Sequence, residues 1–348
     1  MTRIAVVGAG TIGVRHIEEI VACPNASLAA IVDVTPAAAK LAHALRVPLY
    51  DSLDALLRRD RPDGAVIATP NALHAPQAFA CIAAGVPALV EKPLAHTVAG
   101  ATAICEASER ANAPVLVGHH RLHSPIVLTA CNIIESGALG RLVGVIGGAV
   151  FYKPDAYFDE APWRRMPGGG PILINLIHEV ASLRRMIGEI VGVQAFASNA
   201  TRGFPVEDTV SMSLRFANGA LGTFLLSDTG ASAKSWEQTA QENKAYAAYP
   251  DEDCYTIIGT RGSLGVPTMR IRHYDDATER SWFRPFATRT ISFECKDPLA
   301  LQIAHFVAVI RGEAKPLVTA RDGLQNLRIV EAIAEAAKTG RAIDTGRP

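Results

Sequence analysis

No sign of charge dominates this chain of 348 residues: 34 lysines and arginines are balanced by 34 aspartates and glutamates, for a formal net charge of zero. That balance leaves no overall field to draw the protein to nucleic acid or to anionic lipid, and a small-molecule partner is expected instead. Paired cysteine spacing is missing too. Cys23, Cys81, Cys105, Cys131, Cys254 and Cys295 are scattered, with no Cys-x-x-Cys pair and no metal-ligand spacing. They are expected to be reduced, mostly buried thiols of a cytoplasmic protein. Met1 is followed almost at once by an apolar strand and a glycine loop, without a basic stretch and a long apolar one, so export is not expected. No run approaches the roughly 18 to 20 uninterrupted apolar residues that a spanning helix needs, so no membrane partner is expected. Internal repeats, low-complexity tracts and linkers are absent as well.

What is present reads as α/β. The length favours two domains, and the pattern changes after His123, giving residues 1–123 as a nucleotide-binding domain and 124–348 as a substrate-binding and oligomerisation domain. The first opens with an apolar run to Val7, then Gly8-Ala9-Gly10-Thr11-Ile12-Gly13, then an amphipathic segment from Val14 to Ala22. Strand, glycine turn and helix follow in the order of a dinucleotide fold: Gly8 for the tight turn, Gly10 for approach to a pyrophosphate, Gly13 for close helix packing, with Thr11 and Ile12 completing the phosphate loop. A second apolar run, Leu28 to Val32, ends at Asp33, about 20 residues beyond the last glycine, the spacing of an acidic ribose ligand. Asp33 would repel a 2′-phosphate, and Val34-Thr35-Pro36 offer no arginine for one, so NAD is expected rather than NADP. Further apolar runs at 47–50, 64–68, 88–90 and 115–118 alternate with helical stretches, which gives a doubly wound parallel sheet.

The run Ala88 to Val90 stops at Glu91-Lys92-Pro93. Open α/β sheets bind ligands beyond the carboxyl ends of their strands, so Lys92 is the expected centre of the active site, with Glu91 beside the cofactor. Next to a positively charged nicotinamide, and partly desolvated, Lys92 is suited to general-base work. Two other strand ends carry polar residues. Thr69, Asn71 and His74, and the run Gly118-His119-His120-Arg121, either face the nicotinamide half of the cofactor or supply ordinary turn chemistry. His119, His120 and His123 have no carboxylate or cysteine at ligand spacing, so no metal site is expected.

The second domain begins with a helix from Ile126 to Ser136 and a long strand from Leu142 to Tyr152. Trp163-Arg164 precede Gly168-Gly169-Gly170-Pro171 and an apolar helix from Ile172 to Ile187, in which Asn175 and His178 form a polar pair. The glycines would permit close backbone approach to a ligand. Strands at 191–198, 209–216 and 220–227, the last two joined by Asn218-Gly219, imply an open, mostly antiparallel sheet. The polar stretch 230–253 reads as a lid or an interface loop. Strands near 255–258 and 269–273 and helices at 298–310 and 323–338 close the chain.

The glycine loop, Glu91-Lys92-Pro93, Trp163-Arg164, Gly168-Gly169-Gly170, Ile177-His178-Glu179 and Ala320-Arg321-Asp322-Gly323 together resemble the Gfo/Idh/MocA oxidoreductases, typified by glucose-fructose oxidoreductase and inositol dehydrogenases. The resemblance implies a Rossmann domain followed by an open-sheet domain, a homodimer or homotetramer, and NAD(P)-linked oxidation of sugars, cyclitols or related polyols. It also implies that a lysine, an aspartate and a histidine meet the reacting hydroxyl. Lys92 matches the lysine and His178 the histidine, whereas Ile174 stands where the aspartate belongs, with Asn175 beside it. Lys92, His178 and Asn175 are therefore the candidate catalytic residues. Arg121, Trp163, Arg164, Asn175 and His178 are the candidate substrate contacts. The missing carboxylate leaves a second possibility open, a non-catalytic NAD-binding sensor. A third keeps the same hydride chemistry on a cyclic dihydrodiol or an anhydro sugar.

Overall fold

The computed structural model describes residues 1–275, 278 and 280–346. The chain forms two compact units, Met1–His123 with Asp297–Leu327, and Ser124–Lys296 with Arg328–Pro348. The division expected from the sequence, 1–123 and 124–348, needs correction, because Asp297–Leu327 belongs with the first unit.

In the first unit β1 (Thr2–Val7), α1 (Thr11–Ala22), β2 (Ala26–Val32), α2 (Pro36–Leu45), β3 (Leu49–Tyr50), α3 (Leu53–Arg59), β4 (Gly64–Ile67), α4 (His74–Ala83), β5 (Ala88–Val90), α5 (Val98–Ala111) and β6 (Val115–Val117) alternate. The strands pair in parallel in the order β3-β2-β1-β4-β5-β6. β4, β5 and β6 are buried at every residue, as strands covered on both faces must be. In α1 the buried residues are Gly13, His16, Ile17 and Ile20, a helical stripe that fixes which face meets the sheet. α2 was not anticipated, although Thr35-Pro36 is a good helix start: Thr35 Oγ1 accepts the Ala38 N–H and Pro36 occupies the first turn.

The second unit contains α6 (Pro125–Glu135), β7 (Leu142–Val150), α7 (Asp155–Asp159), a π-helical turn (Ile172–Leu176), α8 (Ile177–Ile187), β8 (Ile190–Ser198), β9 (Thr209–Phe216), β10 (Leu221–Ser227), α9 (Trp236–Thr239), β11 (Tyr255–Gly259), β12 (Gly262–Val266), β13 (Arg270–His273) and β14 (Ala287–Thr290). After these come α10 (Pro298–Ile310), α11 (Ala320–Thr339) and β15 (Ile343–Asp344). The sheet runs β14-β13-β12-β11-β7-β10-β9-β8-β15 and is antiparallel except where β10 pairs in parallel with β7. β9 and β10 alternate buried and exposed residues, the pattern of a sheet with one bare face.

α10 explains the corrected boundary. Ile303, Phe306, Val307 and Val309 lie in the same buried cluster as Ile4, Val6, Ile17, Ile20 and Val66, so this helix completes the core beneath the parallel sheet. Among the described residues no helix is long and apolar enough to cross a membrane.

Candidate functional site

The candidate nucleotide residues lie at the carboxyl ends of the parallel strands. β1 turns at Gly8, whose φ of +90° suits glycine; a Cβ there would lie 2.7 Å from the Ala68 carbonyl oxygen. A Cβ on Gly13 would run into the carbonyl of Gly8, whereas one on Gly10 would meet nothing within 4 Å. The outer glycines thus serve close packing, and Gly10 leaves open backbone. No side chain caps α1 at Gly10, so its first N–H groups, with Thr11 and Ile12, suit a phosphate. At the end of β2, Asp33 Oδ2 accepts the Ala9 N–H at 2.7 Å and Oδ1 the Thr35 N–H at 2.7 Å. Burial pushes its carboxyl upward, but the hydrogen bonds from Ala9 and Thr35 outweigh burial and hold it below the usual range. The donor set fits a dinucleotide: open N–H groups for anionic oxygens, and an ionised carboxylate for ribose hydroxyls. Arg59, from α3, lines the same groove as Asp33, Thr35 and Tyr50, so a guanidinium does stand near this end although none follows Asp33 in sequence.

The ends of β4 and β5 are tied together. The His74 ring bridges the Pro93 carbonyl, 2.7 Å from Nδ1, and the Thr69 carbonyl, 2.8 Å from Nε2. His74 is 1% exposed, so it is occupied as a brace rather than presented to a ligand, a correction to the expected cofactor contact. The physical reason is that two peptide carbonyls leave that ring no free nitrogen. Thr69 Oγ1 donates to Gln77 at 2.6 Å, and Asn71 begins a short 3-10 turn with its side chain partly exposed.

Glu91 is buried below Lys92. Its Oε1 lies 2.8 Å from His16 Nε2, and its Oε2 accepts the Lys92 N–H at 3.1 Å. Burial raises this carboxyl, yet the hydrogen bond and charge of His16, with Lys92 and His120 adding to it, bring it down to about 2. His120 is pushed down to about 4 by burial, against the pull of Glu91. Gly118 makes room for this group, since a Cβ there would stand 2.7 Å from Glu91 Oε1. Lys92 itself is partly exposed, while Arg121 is 5% exposed within the turn His120–His123. His119 accepts at Nε2 from Asn326 Nδ2 at 3.0 Å. His16 was missed in the sequence, although it stands three residues past Gly13 on the face that α1 buries.

In the second unit the helix carrying His178 is not continuous α-helix: Ile172–Leu176 is wound as a π turn and Ile177–Ile187 as α. Single π turns occur frequently at functional sites, and the wider winding changes where Ile174 and Asn175 face. Asn175 Oδ1 accepts from Lys153 Nζ at 2.7 Å. His178 is buried, and next to it Glu179 accepts from the Tyr255 hydroxyl. Two of the three glycines serve the protein's own packing, whereas a Cβ on Gly168 would meet nothing within 4 Å. A Cβ on Gly169 would lie 2.6 Å from the Trp163 carbonyl oxygen, and one on Gly170 would lie 2.7 Å from Glu207, which accepts the Ile172 N–H at 2.9 Å. At Gly169 and Gly170 the space is thus filled by backbone and by Glu207. Trp163 is 54% exposed, and the Arg164 guanidinium stacks 3.7 Å above the Tyr157 ring. Lys153 was also missed, although Lys153-Pro154 follows strand β7 much as Lys92-Pro93 follows β5. Among the described residues no cluster of histidine, cysteine and carboxylate side chains is placed to hold a metal ion.

Comparison with known proteins agrees with this layout. A reductase of 1,5-anhydro-D-fructose from Ensifer adhaerens is 27% identical over 85% of this chain and 84% of its own length. An inositol 2-dehydrogenase from Rubrobacter xylanophilus is 26% identical over 97% and 91%. The crystal structure of the WlbA dehydrogenase from Bordetella pertussis, in complex with NADH and UDP-GlcNAcA, superposes with a TM-score of 0.79 at 24% identity, covering 100% of this chain and 99% of that one. Residues 2–119 match the oxidoreductase family with an NAD-binding Rossmann fold, and residues 127–265 match the GFO/IDH/MocA C-terminal domain. Taken with the strand order and the glycine turn, these matches show that the chain belongs to the Gfo/Idh/MocA oxidoreductase family.

Proposed function

We propose that this protein is an NAD-dependent dehydrogenase that transfers hydride between a CH–OH carbon of a sugar, cyclitol or related polyol and nicotinamide. The observation that carries the reading is the arrangement at the carboxyl ends of the parallel strands, where β1 leads into the glycine turn, β2 into ionised Asp33 and β5 into Glu91-Lys92. The anhydro-fructose reductase and the inositol dehydrogenase among its relatives, both named for polyhydroxylated substrates, support the substrate class.

Bound NAD would supply the hydride acceptor. The open backbone at Gly10, with Thr11 and Ile12, would receive the pyrophosphate, and Asp33 would accept hydrogen bonds from the ribose hydroxyls. Thr69, Asn71 and Glu91 border the nicotinamide side, and His74 braces that border. When the carbon loses its hydride the hydroxyl must lose its proton, and Lys92 Nζ, in its neutral amine form, would take it and become the ammonium. In the second unit Asn175 and His178 would hold substrate oxygens, with Trp163 and Arg164 as further contacts, and Arg121 of the first unit is a further candidate contact. Six free thiols support a reducing, cytoplasmic location, and self-association through the open sheet completes the reading.

The test is NADH absorbance with inositol, other cyclitols, aldoses and 1,5-anhydro-D-fructose as substrates. Lys92→Ala should keep its NAD affinity while turnover falls roughly 10²- to 10⁴-fold; turnover equal to that of the unaltered protein would remove Lys92 from the mechanism. Ile174, in place of a carboxylate, favours a second reading, a sensor that binds NAD without turnover. Silence across the whole panel with NAD binding intact would select it.

A further inference from the structure

We propose that Lys153 is a positioning residue for Asn175: its ammonium holds Asn175 Oδ1 and so presents the Asn175 NH₂ group as a donor to a substrate oxygen. The inference rests on the substrate-binding role given above to Asn175. Lys153 is 8% exposed, and burying an ammonium is costly unless it has specific partners. Its nearest polar partner is Asn175 Oδ1 at 2.7 Å, while Asp228 Oδ2 lies 3.6 Å away and the Tyr157 ring centroid 4.9 Å away.

Asp228 does not need Lys153. Arg202 Nε already donates to Asp228 Oδ1 at 2.9 Å, and a guanidinium NH₂ of Arg202 donates to both the Lys153 and Asp228 carbonyls. What Lys153 holds is the amide of Asn175. An ammonium has donors only, so it engages the amide oxygen and fixes which end of the amide faces away. In this chain Ile174 offers no polar group, and an oriented amide beside it supplies the donor that the helix can present.

The charged groups around Lys153 are Asp228 beyond β10, Glu237 on α9 and Arg164 before the triple glycine, with Arg202 and Glu207 in the same cluster. Burial lowers the Lys153 ammonium to about 8, against the pull of Asp228 and Glu237. Above that pH the amine loses its charge, the grip on Oδ1 weakens and Asn175 can turn.

The test measures kcat and KM against pH, with inositol and NAD⁺ and with 1,5-anhydro-D-fructose and NADH. Lys153→Met should lower kcat/KM roughly 10- to 100-fold, mainly through KM for the polyol, with KM for NAD unchanged. Lys153→Arg keeps a permanent cation, so it should recover much of that loss and lose the alkaline limb near pH 8. A Lys153→Met enzyme within twofold of the parent, or a Lys153→Arg enzyme with the same alkaline limb, overturns the proposal. An NMR titration separates this from the dehydrogenase reading. Even without turnover on either substrate, the Asn175 side-chain NH₂ resonances should move with a midpoint near 8 in the parent and stay fixed in Lys153→Arg. Resonances that ignore this range refute Lys153 as the holder of Asn175, and they do so whatever the enzyme's substrate.

Discussion

Glu91 and His16 form a buried pair, 6% and 0% exposed, between the strand that ends at Lys92 and the helix that opens with the phosphate loop. Removing one partner of such a pair leaves an uncompensated charge, which costs far more than the intact pair contributes. His16→Leu should therefore lower stability by about 3 kcal/mol near neutral pH, measured by urea unfolding. The effect should depend on pH in a definite direction. Glu91 titrates at about 2 in the folded chain against an ordinary 4.5, so its contribution is complete above 4.5 and is lost as pH falls toward 2. The gap between the parent and His16→Leu should narrow over that window, and a gap that stays constant to pH 3 would show that His16 does not set the Glu91 carboxyl. Acid should weaken the parent earlier still. His120 and His123 are brought down by burial to about 4 and about 3, so unfolded chains take up protons below 6.5 that the folded chain refuses. Stability should begin to fall as pH drops through 6.5.

At the scale of elements, the β1–α1 turn tests the nucleotide assignment most directly. Gly13→Ala would press a methyl group onto the Gly8 carbonyl and push α1 off the sheet. NAD affinity should fall at least tenfold and the thermal midpoint should drop, whereas Gly10→Ala, whose Cβ meets nothing, should keep the fold and weaken only NAD binding. Equal melting curves for Gly13→Ala and the parent would contradict the packing role. These parts were legible because their causes are local: parallel strands buried on both faces read as unbroken apolar runs, and a glycine turn has few alternatives. Other parts had no local cause to read. A π turn at Ile172–Leu176 has the same composition as an α-helix, and it is the turn that carries Asn175. β12 was overlooked because Gly262 and Gly265 interrupt its apolar pattern. The Pro93 carbonyl on His74 and the Asn175 amide on Lys153 lie on other elements, so position at a strand end suggested a ligand for His74 where the fold supplied a distant carbonyl beside the nearby one of Thr69.

The whole chain crosses between its units more than once, and α10 shows why length and pattern alone could not place the boundary: an apolar helix names a core but not which one. The open sheet of the second unit poses the remaining question at this scale. Cross-strand register sets Phe196 on β8, Ser211 on β9 and Leu225 on β10 in one row, and Ser213, Thr223 and Ile146 in the next. On that face Phe196 is 69%, Ile146 59%, Leu221 62% and Leu225 44% exposed, with small hydroxyl residues between them. An exposed apolar face of this kind is unusual on a monomer, and a two-fold contact would let each copy bury the other's patch. A stable pairing of this type buries about 1,600 Å² in total, within reach of a broad sheet face. Light scattering should give at least a dimer for the parent. A Leu225→Asp/Phe196→Asp variant places two carboxylates on that face from each copy, and it should run as a monomer with an unchanged circular dichroism spectrum. If it stays a dimer, the open sheet is not the interface.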